Sequence, residues 1–231
     1  MIEAHDPTVS ASRFPANASA SVRLSRNEIE TLCLKAARGA GMSWGLAEEA
    51  GFVAGWLSLR GVDGAATLLA HLTEPAESDF AIVDRLWSGK GPLCSIAIGA
   101  ALDDHAALPQ GVGAAPVMLR ALRHPLLAVP LLARMARAMA TGLALNWDGG
   151  RARIAASGEI APDGLSALLD VPETDLMVTV STGGDIAPAL AGPSPVSAQA
   201  LAGLQALAMR TTVPASEQSR CGAGAAASDN D

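Results

Sequence analysis

The hydrophobic periodicity of the chain changes near residue 142, and this change constrains the fold more than any other feature. Upstream of it, apolar residues recur at the spacing of α-helices. Downstream, the segment LALNWDGGRARIA (residues 143–155) alternates between apolar and polar residues, which is typical of strands. The sequence therefore predicts an α+β fold with a helical N-terminal half and a mixed C-terminal half.

Local signals place the helices of the first half. Ser25 and Glu28 in SRNE form a capping-box pattern, and the apolar spacing that follows predicts a helix with Cys33 in the core. Further helices are predicted over residues 44–59 and 61–72, with His71 near the end of the latter. Between residues 116 and 140 we expect helices, broken at His124–Pro125 and restarted at Pro130.

The second half is predicted to contain a β-hairpin, at least one further strand and a packed final helix. With Gly149–Gly150 as the two-residue loop of the hairpin, Asp148 faces Arg151 across the strands. A short helix follows a turn at residues 162–164, DLMVTVST (residues 175–182) is a strand, and the final helix spans about residues 198–209. We expect a flexible leader over residues 1–23 and one domain over residues 24–231, with a possible subdivision near residue 142.

Composition excludes several classes of protein. The net charge of -7 and pI of about 5.0 argue against nucleic-acid binding. The most apolar stretch, residues 125–145, is interrupted by Pro130, Arg134 and Arg137, so we expect no membrane span. The N-terminus lacks a secretory pattern, which favours a cytoplasmic location. Three cysteines without CxxC spacing argue against a disulfide framework or a zinc knuckle.

Two glutamates in the second helix are the best acid–base candidates of the N-terminal half. Glu48 or Glu49 beside Phe52 or Trp56 would lose solvent, and desolvation raises the pKa of a carboxyl as a general acid requires. The alternative is that both are solvated acids near a helix start, where the helix dipole favours them.

The segment GPLCSIAIGAALDDHAAL (residues 91–108) supports two further hypotheses. Cys94 is a nucleophile whose base is His105 or His124, or Asp103, Asp104 and His105 bind a metal. A solvated turn is the alternative to both. Downstream, arginines form an outer face that could meet an acidic ligand or partner, although a solvated face is the more frequent explanation: Arg120, Arg123, Arg134 and Arg137.

The last 22 residues, RTTVPASEQSRCGAGAAASDND (residues 210–231), are rich in groups that bind anions. Guanidinium groups, hydroxyls and glycine backbone amides together suit a carboxylate or phosphate ligand. The candidate ligand-binding residues are Arg210, Ser216, Ser219, Arg220, Gly222 and Gly224. The alternatives are a clasp that holds the tail to its own domain and plain disorder.

The N-terminal LSRNEIETLCLKAARGAGMSWGLAEEAG (residues 24–51) and the C-terminal segment together resemble the bacterial domain-of-unknown-function family 3726. The resemblance extends over nearly the whole chain from Leu24. It implies no particular reaction. Residues 40–64 are also faintly similar to the opening helices of the malate/lactate dehydrogenase family that lacks a Rossmann fold, but no cofactor-binding features follow.

Three functions are compatible with these observations. The first is an enzyme acting on a small carboxylate metabolite, with the C-terminal arginines binding the acid and Glu48 or Glu49 transferring the proton. The second is a non-catalytic subunit that completes a metabolic enzyme, as a hetero- or homo-oligomer. The third is a ligand-binding regulatory module. The sequence implies no specific cofactor.

Overall fold

The computed structural model describes residues 21–74 and 76–211, and its elements confirm the α+β class. The helices are α1 (Arg26–Gly39), α2 (Trp44–Ser58), α3 (Gly64–Thr73), α4 (Ser95–His105), α5 (Val129–Ala138), α6 (Pro162–Leu169) and α7 (Ala198–Met209). A 3₁₀ helix, Pro125–Ala128, precedes α5. The strands are β1 (Ser21–Val22), β2 (Ala81–Val83), β3 (Leu86–Ser88), β4 (Leu93–Cys94), β5 (Val117–Arg123), β6 (Gly142–Trp147), β7 (Gly150–Ile154), β8 (Glu173–Ser181) and β9 (Val196–Ser197).

Helix α1 begins where the capping box predicts. The Ser25 N–H donates to Glu28 Oε2 at 2.8 Å, and the Glu28 N–H donates to Ser25 Oγ at 3.3 Å. Cys33 is fully buried as predicted, and burial raises the pKa of its thiol to about 12. The thiol of Cys33 therefore stays protonated in the core.

Helix α1 packs against α2 on one side and α7 on another, and glycines allow the close approach. A Cβ on Gly39 would lie 1.8 Å from the carbonyl oxygen of Leu207 in α7. A Cβ on Gly55 would lie 2.5 Å from the Glu30 side chain. The final helix thus needs a glycine at the end of α1.

Replacing Gly39 with alanine is expected to lower the free energy of unfolding by roughly 1–3 kcal/mol, because α7 must move to admit the methyl group. The matched control is Gly45→Ala in α2, where the new Cβ meets no heavy atom within 4 Å. That change should be neutral or stabilise by up to about 1 kcal/mol, since alanine favours helix over glycine. Urea unfolding of both variants measures the difference, and equal stabilities would contradict the close α1–α7 contact.

The larger sheet has the strand order β2-β3-β5-β8-β6-β7, with β4 also paired to β5. Strands β3 and β4 run parallel to β5, and the other pairs are antiparallel. Along β5, β6 and β8 one face is buried through side chains such as Leu119, Leu145 and Val178, while the other face is polar or partly exposed. A second, two-stranded sheet joins β1 to β9. Of the predicted leader, only residues 21–23 are described, and Ser21 and Val22 form β1.

The helix predicted after residue 116 is wrong: residues 117–123 form β5. The pairing of β5 with β8 shifts between Leu119 and Leu122, and Ala121 within that interval has a φ of 47°. This bulge moves the buried position from residue 121 to residue 122. The buried residues Leu119 and Leu122 are therefore three positions apart, which is a helical spacing. The alternation expected of a strand is interrupted at this point.

The hairpin is present, but its predicted register is wrong by two residues. Trp147 pairs with Gly150 and Asn146 with Arg151, so the loop is Asp148–Gly149 and Asp148 does not face Arg151. Gly149 has a φ of 85°, which suits the loop position. Gly150 is required for a different reason, since a Cβ there would lie 2.4 Å from the Trp147 ring. A two-residue shift preserves the faces, so the predicted inward residues remain inward.

Candidate active site

A cysteine and a histidine meet at the junction between β4 and α4. His71 Nε2 lies 3.2 Å from Cys94 Sγ, and each residue is only 2% exposed. Cys94 is the N-cap residue of α4, and its backbone N–H donates to the Glu77 carbonyl at 2.8 Å. The Ser95 hydroxyl donates to the Arg123 carbonyl at 2.5 Å. The backbone at Cys94 and Ser95 is thus held in place by β5 and by the segment before β2.

Burial keeps both members of this pair uncharged. Desolvation, followed by the nearby His124 and Arg123, lowers the pKa of His71 to about 4. Desolvation also raises the pKa of Cys94, although the backbone N–H groups of Ala97 and Ile96 partly offset the rise. At neutral pH the pair is therefore a thiol beside a neutral imidazole, and not a thiolate–imidazolium ion pair.

A second histidine stands next to the pair with charged neighbours. The rings of His124 and His71 are 5.8 Å apart and nearly perpendicular. His124 Nε2 lies 3.6 Å from Glu74 Oε2, and Arg123 Nη1 donates to the same oxygen at 2.5 Å. Desolvation lowers the pKa of His124, while the bond from Arg123 lowers the pKa of Glu74.

The backbone of His124 is unusual for a residue with a side chain. Its φ of 48° and ψ of 65° lie in the left-handed region. Its N–H donates to the Pro172 carbonyl at 2.7 Å, and the 3₁₀ helix begins directly after it. Left-handed non-glycine residues cluster at functional sites because the surrounding structure must hold them there.

A small cavity of about 210 Å³ gives access to the pair. One wall is the loop between α1 and α2, and the other walls come from α3 and the segment before β2. The lining residues are Ala40, Gly41, Met42, His71, Leu72, Glu74, Ala76, Ser78 and Cys94. This volume is below the usual range for drug-sized ligands, so the cavity suits a small molecule.

The side chain that contacts Cys94 is His71, whereas the sequence suggested His105 or His124. His105 Nδ1 bonds the Ala101 carbonyl at 2.7 Å, and its ring packs edge-on against Trp87. His105 thus supports the packing between α4 and β3. The sequence contained His71 as a lone histidine at a helix end, and no spacing rule linked it to a cysteine 23 residues away.

The predicted metal ligands do not converge. Within residues 21–74 and 76–211, no group of three or more His, Cys, Asp and Glu side chains is placed to hold a metal ion. Asp103 instead accepts from Arg134 Nε at 2.8 Å. Asp104 is exposed next to it.

The two candidate glutamates of α2 have separate partners. Glu49 receives both Nη groups of Arg134 at 2.9 Å, which ties α2 to α5. Glu48 is exposed and accepts from Trp44 Nε1 at 2.8 Å. Neither contact touches the Cys94 cavity, and the acid–base role of Glu48 and Glu49 stays a prediction.

Most of the predicted C-terminal ligand site lies outside the described residues. Arg210 is the exposed C-cap residue of α7. The remaining members, Ser216, Ser219, Arg220, Gly222 and Gly224, are beyond residue 211. The proposed anion-binding role of this segment is therefore still a prediction.

Residues 24–91 match the model of DUF3726, a family of proteins of unknown function. The match confirms the resemblance over α1, α2, α3, β2 and β3. The matched segment includes His71 and ends before Cys94. Only one of the two residues of the Cys94–His71 pair therefore lies in the part of the chain that matches the family. The C-terminal part of the resemblance lies outside the matched segment. No curated protein matches the chain. No helix in the described part of the chain is long and apolar enough to cross a membrane.

Proposed function

We propose that this protein is a cysteine-dependent enzyme that transfers or hydrolyses a small acyl group. The observation that carries the proposal is the 3.2 Å contact between His71 Nε2 and Cys94 Sγ at the wall of a small cavity. A nucleophile within reach of a base, in a site open to a small molecule, is the arrangement that covalent catalysis requires.

In the proposed reaction Cys94 Sγ attacks the acyl carbon while His71 Nε2 takes the thiol proton. The proton passes from His71 to the leaving oxygen or sulfur, and a thioester forms at Cys94. Water then attacks the thioester with His71 as the base, which releases the acid and restores the thiol. Both steps start from a neutral imidazole, which a pKa of about 4 provides at neutral pH.

Backbone amides near Cys94 support the same chemistry. The backbone N–H groups of Ile96 and Ala97, in the first turn of α4, favour the thiolate form of Cys94 and so lower its pKa against the effect of burial. Because donors at a helix start stabilise negative charge, we assign these two N–H groups to the oxyanion that develops on the acyl oxygen.

The proposal predicts that p-nitrophenyl acetate releases one equivalent of nitrophenolate in a burst and leaves an acetyl group on Cys94. Peptide mass spectrometry identifies the acetylated cysteine. Cys94→Ala should abolish the burst, since the acceptor sulfur is gone. The matched control is Cys33→Ala, because Cys33 is equally buried and has no described histidine partner.

An acetyl group on Cys33 or Cys221 in place of Cys94 would contradict the proposal. So would a burst of normal size in Cys94→Ala. A protein that never acetylates would instead favour the partner-subunit or regulatory-module hypotheses.

Several finer expectations remain proposals based on the sequence. They include a carboxylate-type metabolite as substrate, binding of that substrate by the C-terminal segment, and a cytoplasmic location in a bacterium. The acyl chemistry is compatible with such a substrate, since an acyl group and a carboxylate often occur in one metabolite.

A further inference from the structure

A second cavity lies where the C-terminal part of α2 approaches α5. Its volume is about 380 Å³, within the range of ligand sites. It shares no lining residue with the Cys94 cavity. The lining residues are Arg26, Phe52, Trp56, Leu59, Arg60, Pro130, Ala133, Arg134, Arg137, Gly158, Glu159 and Leu190.

The apolar part of this wall includes Leu190, which is carried by a loop. Leu190 at the rim is 65% exposed, and the loop that carries it is bonded to the end of α2. The N–H groups of Ala191 and Gly192 both donate to the Leu59 carbonyl, at 3.1 and 3.2 Å. The loop therefore brings an apolar side chain to a cavity that α2 and α5 alone would leave open.

One arginine of the wall is buried and incompletely bonded. The Arg60 guanidinium lies 3.5 Å from the centre of the Trp56 ring, and its Nη2 donates to both oxygens of Glu159 at 3.1 and 2.9 Å. The Arg60 side chain is only 6% exposed. Its Nε is buried and has no acceptor among the described residues. A buried donor without an acceptor is unfavourable, so a ligand oxygen here would stabilise it.

One arginine of the wall has no carboxylate partner among the described residues. Arg26 pairs with Glu30, Arg60 with Glu159, and Arg134 with both Glu49 and Asp103. Arg137 donates from Nε to the Ser157 carbonyl at 3.2 Å, and its two Nη groups have no acceptor in the described ranges. The cavity therefore combines apolar walls with one exposed arginine, Arg137, that pairs with no described carboxylate.

We propose that this second cavity binds a small monocarboxylate with an apolar or aromatic body. The carboxylate accepts from Arg137, and the apolar body packs against Leu59, Pro130 and Leu190. A multiply charged anion is disfavoured because the neighbouring arginines are already paired with acids, whose charges would repel it. The site is independent of the Cys94 chemistry.

The experiment is calorimetric titration of the full chain with benzoate and with benzyl alcohol, which has a similar shape and no charge. We expect benzoate to bind at least about ten-fold more tightly, because a charge-assisted hydrogen bond contributes that much. Arg137→Met should weaken benzoate binding by about ten-fold or more. The matched control is Arg210→Met, which removes an exposed arginine at the end of α7 and should leave the affinity unchanged.

A second variant tests the same cavity in case Arg137→Met does not fold. Leu190→Glu adds a carboxylate at the exposed rim, where it cannot disturb the core, and should also weaken benzoate binding. Cys94→Ala should bind benzoate normally, which separates this inference from the proposed acyl chemistry. The inference is overturned if benzoate does not bind, if the alcohol binds as well as benzoate, or if Arg210→Met rather than Arg137→Met removes binding. The last outcome would place the carboxylate at the C-terminal segment.

Discussion

Replacing His71 with asparagine is expected to slow acetylation of Cys94 by about 10²–10⁴-fold, because a positioned general base contributes a factor of that size. Asparagine keeps a polar side chain of similar size but cannot accept the thiol proton at neutral pH. The pre-steady-state release of nitrophenolate measures the rate. The control is His105→Asn, which removes a histidine that contacts Trp87 and should leave the rate unchanged.

The pH dependence distinguishes a base from a structural residue. In the native protein the rate should be constant around neutral pH and fall as pH drops through about 4, since protonated His71 accepts no proton. In His71→Asn the rate should instead rise at alkaline pH, as the thiolate of Cys94 forms without help. The pKa of that thiol is raised by burial, so the rise comes late. An asparagine variant with the native rate at neutral pH would exclude His71 as the base.

Replacing Glu159 with glutamine is expected to lower the free energy of unfolding by about 3–5 kcal/mol, because it leaves the Arg60 charge buried without a counter-charge. The side chains of Arg60 and Glu159 are only 6% and 12% exposed. Thermal and urea unfolding measure the loss. The same change at Glu30, whose pair with Arg26 is 28% and 47% exposed, should cost about 1 kcal/mol or less.

A double substitution tests the cause of that loss. Arg60→Met with Glu159→Met removes both charges, and hydrophobic replacement of a buried pair is often neutral or stabilising. The double variant should therefore be more stable than Glu159→Gln alone. If it is equally unstable, lost packing over Trp56 rather than the unpaired charge explains the effect.

Local signals were sufficient for several helices. The capping box at Ser25 and Glu28 predicted the start of α1, and apolar spacing predicted α2 and α7 with bounds close to those observed. These signals are complete within one or two helical turns. Strand β5 was missed because a bulge at Ala121 replaced the alternation by a helix-like spacing.

The Cys94 nucleophile was among the hypotheses from the sequence, but its base was not. The contact instead comes from His71 at the end of α3, and the matched family segment ends before Cys94. A contact between two residues that are 23 positions apart and lie on different elements produces no periodic pattern in the sequence.

The amino-acid sequence alone determined the α+β class, the buried position of Cys33 and the main helices of the N-terminal half. Periodicity and capping act between residues a few positions apart, so they can be read directly. Only the tertiary structure decided the hairpin register, the pairing of Glu49 with Arg134, and the meeting of His71 with Cys94. These depend on which surfaces bury each other most completely, and that is a property of the whole packed chain.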